Sequence, residues 1–89
     1  MADEPETLLE FPCEYSVKAM GLTAPDFDAL VFDIVRQQVP DLGEGAVRTR
    51  TSSGGKYLSV TVTFQATSKR QLDAIYQALT DHERVLMSL

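Results

Sequence analysis

From Tyr57 to Ala66 the chain alternates without a break. Leu58, Val60, Val62, Phe64 and Ala66 fall on one side, and Tyr57, Ser59, Thr61, Thr63 and Gln65 fall on the other. Successive side chains of a β-strand point to opposite faces. This run is therefore expected to be a strand with one dry face and one polar face, and the rest of the chain has to cover the dry one. With 89 residues available, the chain can build one core and one domain, with nothing left for a second.

The neighbouring segments supply partners for that strand. Residues 46 to 52 alternate Ala46, Arg48, Arg50 and Ser52 against Val47, Thr49 and Thr51, a strand of modest hydrophobicity suited to a sheet edge. Ser53-Gly54-Gly55 joins the two as a hairpin, because glycine tolerates positive φ. Upstream, Tyr15, Val17 and Ala19 alternate with Ser16, Lys18 and Met20, which predicts a half-buried strand from Glu14 ending at Gly21. At the far end, Arg84 to Leu89 is short, apolar and rich enough in strand formers to make a final strand.

Two segments carry the helical period instead. Phe27, Leu30, Val31, Ile34 and Val35 share one side of a 3.6-residue repeat. Thr23, Pro25 and Asp26 supply helix-start chemistry before them, and Pro40 is expected to stop the helix. Ser68 and Gln71 repeat the capping pattern ahead of Leu72, Ile75, Tyr76 and Leu79. The core is expected to include Leu30, Ile34, Leu58, Val60, Val62, Phe64 and Leu72. The order strand, helix, strand, strand, helix, strand then predicts an α+β chain. Its architecture is the split βαβ or ferredoxin-like sandwich, a four-stranded antiparallel sheet with two helices on one face. Residues 8–89 are expected to form this single domain, with Leu8-Leu9-Glu10-Phe11-Pro12 packing as an arm, and residues 1–7 are expected to be an acidic disordered tail.

Charge and composition exclude several functions. Eight bases against thirteen acids leave a net charge of −5, which disfavours a general phosphate-backbone binder. One cysteine and one histidine supply neither an internal disulfide nor a cluster of zinc ligands, so no metal and no cofactor is expected. His82 is expected to take a cap or surface role, and Cys13 to pack as a small buried side chain. The absence of a membrane span and the acidic start read as cytoplasmic. Ser52-Ser53-Gly54-Gly55-Lys56 has the parts of a phosphate cradle. However, Tyr57 follows the lysine and the segment joins two strands, so an ordinary turn is expected. The element order also matches the RNA-recognition motif, but the outward side of the best strand offers Tyr57 and then hydroxyls in place of an aromatic pair. No catalytic constellation emerges, so the chain reads as a non-catalytic domain.

Several segments carry a family resemblance: Leu8-Leu9-Glu10-Phe11-Pro12, Lys18-Ala19-Met20-Gly21, Ser52 through Val60, Ala66-Thr67, and Val85-Leu86-Met87-Ser88-Leu89. With these the chain resembles the YbeD-like family of small uncharacterised bacterial proteins. The resemblance implies a ferredoxin-like fold similar to the ACT domain, a regulatory module that often binds amino acids between two copies. Where ACT domains often carry Asp-x-Pro-Gly, this chain has Met20-Gly21-Leu22-Thr23-Ala24-Pro25, and only the glycine matches in kind. Two readings follow. The first is a regulatory or protein-interaction domain that binds a protein partner or itself through its open sheet face, with Lys18, Arg48, Arg50, Lys56, Tyr57 and Ser59 as partner-binding residues. The second is a dimeric, ACT-like amino-acid sensor with Met20, Gly21, Leu22 and Thr23 as ligand-binding residues. Nucleic acid is a lesser candidate, carried by the same cations.

Overall fold

A computed structural model describes residues 10–89. The expected tail at residues 1–7, and Leu8 and Leu9 of the expected arm, lie outside the described residues. Four strands and two helices follow in the order β1 (Cys13–Leu22), α1 (Phe27–Arg36), β2 (Val47–Thr51), β3 (Tyr57–Ala66), α2 (Lys69–Asp81) and β4 (Met87–Ser88), with one turn of 3-10 helix at Glu44–Ala46. The sheet is antiparallel in the order β2-β3-β1-β4. That order and connectivity define the ferredoxin-like α+β fold. No helix among the described residues is long and apolar enough to cross a membrane.

The alternating patterns explain the layers. β1 and β3 pair over their full length, Cys13 opposite Ala66 and Leu22 opposite Tyr57. This register puts Val17 and Ala19 beside Val62 and Val60, all fully buried. Phe27, Val31 and Val35 of α1 and Leu72, Ile75 and Leu79 of α2 close over this surface. Leu30, Ile34 and Leu58, expected in the core, are only half-buried and pack on its margin. β2 is an edge strand, as its weak hydrophobicity implies, and Val47 alone among its residues is half-buried.

Several local expectations are corrected. The start of α1 is not closed by a Thr23 and Asp26 capping exchange. Asp26 is the residue before the helix, but its side chain makes no cap bond. Both of its oxygens instead accept from the Arg84 guanidinium, at 2.8 and 3.0 Å, because a bidentate charge-assisted pair outweighs a single bond to a backbone N–H. The helix ends at Arg36, ahead of Pro40. The chain then tightens, with the Val39 N–H bonded to both the Val35 and Arg36 carbonyls and its side chain tucked into the core. β1 runs through Gly21 to Leu22, and β4 is shorter than expected, with Met87 and Ser88 alone. α2 begins as expected: Ser68 Oγ accepts the Gln71 N–H at 3.1 Å. Gln71 reaches back to the Thr67 N–H, one residue earlier than a capping box would place it.

Candidate functional site

Both helices lie on one side, so the other side of the sheet is open, and the pairing register dictates its pattern. Arg48, Thr61 and Lys18 form one row across β2, β3 and β1, and Leu89 continues it through two backbone hydrogen bonds with Lys18. Arg50, Ser59, Met20 and Met87 form the next row. Tyr57 and Leu22 lie opposite one another in a third. Neighbouring strands are about 4.8 Å apart, so the cations of β2 and β1 flank a hydroxyl on β3, with about 10 Å between their backbones. At the other end, Ser16 and Thr63 share a hydrogen bond of 2.7 Å, which engages two of the hydroxyls in each other.

The β2–β3 hairpin positions one corner of this face. Ser52 donates its N–H to the Tyr57 carbonyl at 2.8 Å and accepts the Tyr57 N–H on Oγ at 3.1 Å. Gly55 takes φ of +78° and donates its N–H to the Ser52 carbonyl at 2.8 Å. That conformation needs glycine, and that amide is consumed inside the turn, which is the ordinary-turn outcome expected for Ser52 to Lys56. The Lys56 ammonium sits 5.4 Å from the centre of the Tyr57 ring. A recess of about 220 Å³ opens beside the hairpin, lined by Lys18, Met20, Arg50, Thr51, Ser52, Tyr57 and Ser59.

Of the six residues singled out as partner-binding, Lys18, Arg50, Tyr57 and Ser59 line this one recess, Arg48 stands one row along, and Lys56 caps the Tyr57 ring. The ion pairs among the described residues, Lys69 with Asp73 and Arg84 with Asp26, belong to the helical layer and its connections. No described carboxylate pairs with Lys18, Arg48, Arg50 or Lys56. The recess also borders the apolar end of the face, where Leu22, Met87 and Leu89 are each more than half exposed. Sequence reading missed this apolar end, because Leu22 and the 86–89 segment come together only once β4 docks on β1.

The four residues singled out as ligand-binding are not brought together. Met20 and Leu22 point to the open face, while Gly21 faces the core and is buried. A Cβ at Gly21 would lie 2.5 Å from the Arg84 carbonyl and 2.6 Å from the Phe27 ring. Thr23 is exposed and donates its N–H to the Lys56 carbonyl at 2.9 Å. A hollow of about 330 Å³ adjoins this turn, and of the four only Leu22 lines it, with Ala24, Glu83, Arg84 and Leu86. The Arg84 hydrogen bonds hold the Asp26 carboxyl below its ordinary range. No local sequence signal pointed to this pairing, since 58 positions separate the two residues.

The remaining chemistry is structural. His82 caps α2, donating its N–H to the Leu79 carbonyl and accepting the Arg84 N–H on Nδ1 at 3.1 Å. Cys13, expected to be buried, is only half-buried at the margin of the core. Under α2, the Tyr15 and Tyr76 hydroxyls are 3.4 Å apart, and burial pushes the Tyr76 hydroxyl above its ordinary pKa. No group of three His, Cys, Asp or Glu residues that could hold a metal ion occurs among the described residues.

A ferredoxin-like domain with an open, cationic sheet face is the class of protein these features define. The chain belongs to a family described as "Protein of unknown function (DUF493)", whose model matches residues 6–89. Its relatives are uncharacterised bacterial proteins, in line with the YbeD-like resemblance. A "UPF0250 protein" of Chromobacterium violaceum is 46% identical over the full length of both chains. Another, of Nitrosomonas europaea, is 45% identical over 94% of this chain and 97% of its own. The solution structure of protein HP0495 from H. pylori shares the fold with a TM-score of 0.72 at 14% identity, covering 100% of this chain and 98% of that one.

Proposed function

We propose that the chain is a non-catalytic docking domain that binds a protein partner through the open face of its sheet. The observation that carries this reading is the face itself. Lys18, Arg48 and Arg50 stand there without a described acidic partner, next to exposed Leu22, Met87 and Leu89, on a protein whose net charge is −5. A solvated surface has no need to gather apolar side chains beside unpaired charge, whereas a binding surface does. The groups with displaced pKa values, Asp26 and Arg84 through each other and Tyr76 beside Tyr15, tie elements of the fold together and lie outside the recess. The amino-acid sensor reading has less support, because its four residues do not face one cavity.

The test is site-directed photocrosslinking in cells, with the reactive group at Thr61 in the centre of the face or at Thr80 on exposed α2. A discrete adduct with another protein is expected from position 61 and not from position 80. It should disappear when Tyr57→Ala and Arg50→Glu are combined. No adduct from position 61, or one untouched by the double substitution, overturns the reading.

A further inference from the structure

The open face has more detail than a patch of one sign, and its spacing restricts what can sit there. The recess is bounded by Lys18 on β1 and Arg50 on β2, and Ser59 on β3, directly opposite Arg50 and diagonal to Lys18, lines it too. Two cations and a hydroxyl around a small depression match a carboxylate, which accepts several charge-assisted hydrogen bonds at once. One pleat along β1 from Lys18 is Met20, with Met87 beside it, and one pleat further is Leu22. Residues two apart on a strand are separated by about 6.7 Å and share a face.

We propose that the partner is an extended acidic segment carrying a carboxylate and an apolar side chain two residues apart on the same side. The carboxylate sits between Lys18 and Arg50 over Ser59, and the apolar side chain rests on Met20, Leu22 and Met87. This proposal rests on the docking reading above and supplies the chemistry of its partner. Charge complementarity selects this occupant over two others. A second copy presenting the same face would bring Lys18, Arg48 and Arg50 against their own kind, which is repulsive in a self-complementary contact. Single-stranded RNA would need an aromatic ring free for stacking. Tyr57 is the face's one aromatic, and the Lys56 ammonium already sits over its ring.

The experiment uses the full chain and two fluorescein-labelled peptides of identical composition, read by fluorescence anisotropy and by amide chemical shifts. One peptide is three Glu-Ser-Leu-Ser repeats, which puts acid and leucine on the same side of an extended chain. The other is three Glu-Leu-Ser-Ser repeats, which puts them on opposite sides. The first is expected to bind with shifts clustered at Lys18, Arg50, Tyr57 and Ser59, and the second about five-fold or more weaker. Lys18→Glu and Arg50→Glu should each weaken the first peptide about ten-fold or more, as loss of a charge-assisted bond implies. Arg70→Glu, on exposed α2, should leave it within about two-fold. The proposal is overturned if the first peptide fails to bind at about 1 mM. Equal binding of the two peptides overturns it too, as does an equal loss with Arg70→Glu or tighter binding of a labelled RNA dodecamer. If crosslinking from Thr61 survives such a result, the docking reading stands and this account of the partner alone is discarded; if both fail, both go.

Discussion

Gly21 shows how one residue can look like part of a binding loop and be needed for packing. It lies in β1 next to Met20 and Leu22, whose side chains reach the open face, yet its own missing Cβ points at the Phe27 ring and at the Arg84 backbone. The ring could turn aside, but the carbonyl belongs to the turn that leads into β4 and cannot move without it. Gly21→Ala is therefore expected to destabilise the fold by about 1–3 kcal/mol, in the range of overpacked cores. Urea denaturation should show a lower midpoint with an unchanged slope. A midpoint equal to wild type would mean that the approach of residue 84 is not a fixed contact. Tyr57 and Ser59 make the opposite case. Their outward placement was legible from alternation alone, because β3 keeps a strict period of two for ten residues, and that period admits no other face.

At the scale of elements, the best-read segments were those whose apolar pattern and end signals agree. α2 has both: a stripe of Leu72, Ile75 and Leu79, and Ser68 holding the Gln71 N–H. Ser68→Ala should cost about 1 kcal/mol, the usual value of a helix N-cap. Hydrogen exchange should quicken at residues 69–72 before any effect reaches the centre of the helix. If exchange there is unchanged, Gln71 and its bond to the Thr67 N–H hold the helix start without help from the serine. α1 was read correctly along its buried face and wrongly at its ends, since the competitor for Asp26 lies far away in sequence. β4 was read too long for a related reason. Its hydrogen bonding runs from the Leu86 N–H to the Leu89 pair with Lys18, but only Met87 and Ser88 take up strand pairing, and how much of an edge segment pairs depends on the strand beside it.

For the molecule as a whole, the Asp26 and Arg84 pair fastens the start of α1 to the turn before β4. The Asp26 carboxyl is held below its ordinary 3.8 by the hydrogen bonds from Arg84. A lowered carboxyl pKa stabilises the fold above the unfolded value and loses that contribution as pH falls through the folded one. Asp26→Asn should therefore lower the denaturation midpoint modestly at neutral pH, and the gap from wild type should close as pH drops below about 3.8. A gap that persists in acid would assign the loss to packing and not to charge. The same scale separates the two sources of what is known about this protein. Period-two and 3.6-residue patterns determined the strands, the helices, the side of each that is buried and, through their order, the ferredoxin-like architecture, because local backbone geometry imposes those periods on any buried face. The tertiary structure alone decided that Lys18, Arg50 and Ser59 bound one recess, that Leu22 meets the 86–89 segment beside it, and that Asp26 serves Arg84 in place of its own helix. Each of these depends on strand register and on contacts between residues tens of positions apart, and no local pattern encodes a distance across a sheet.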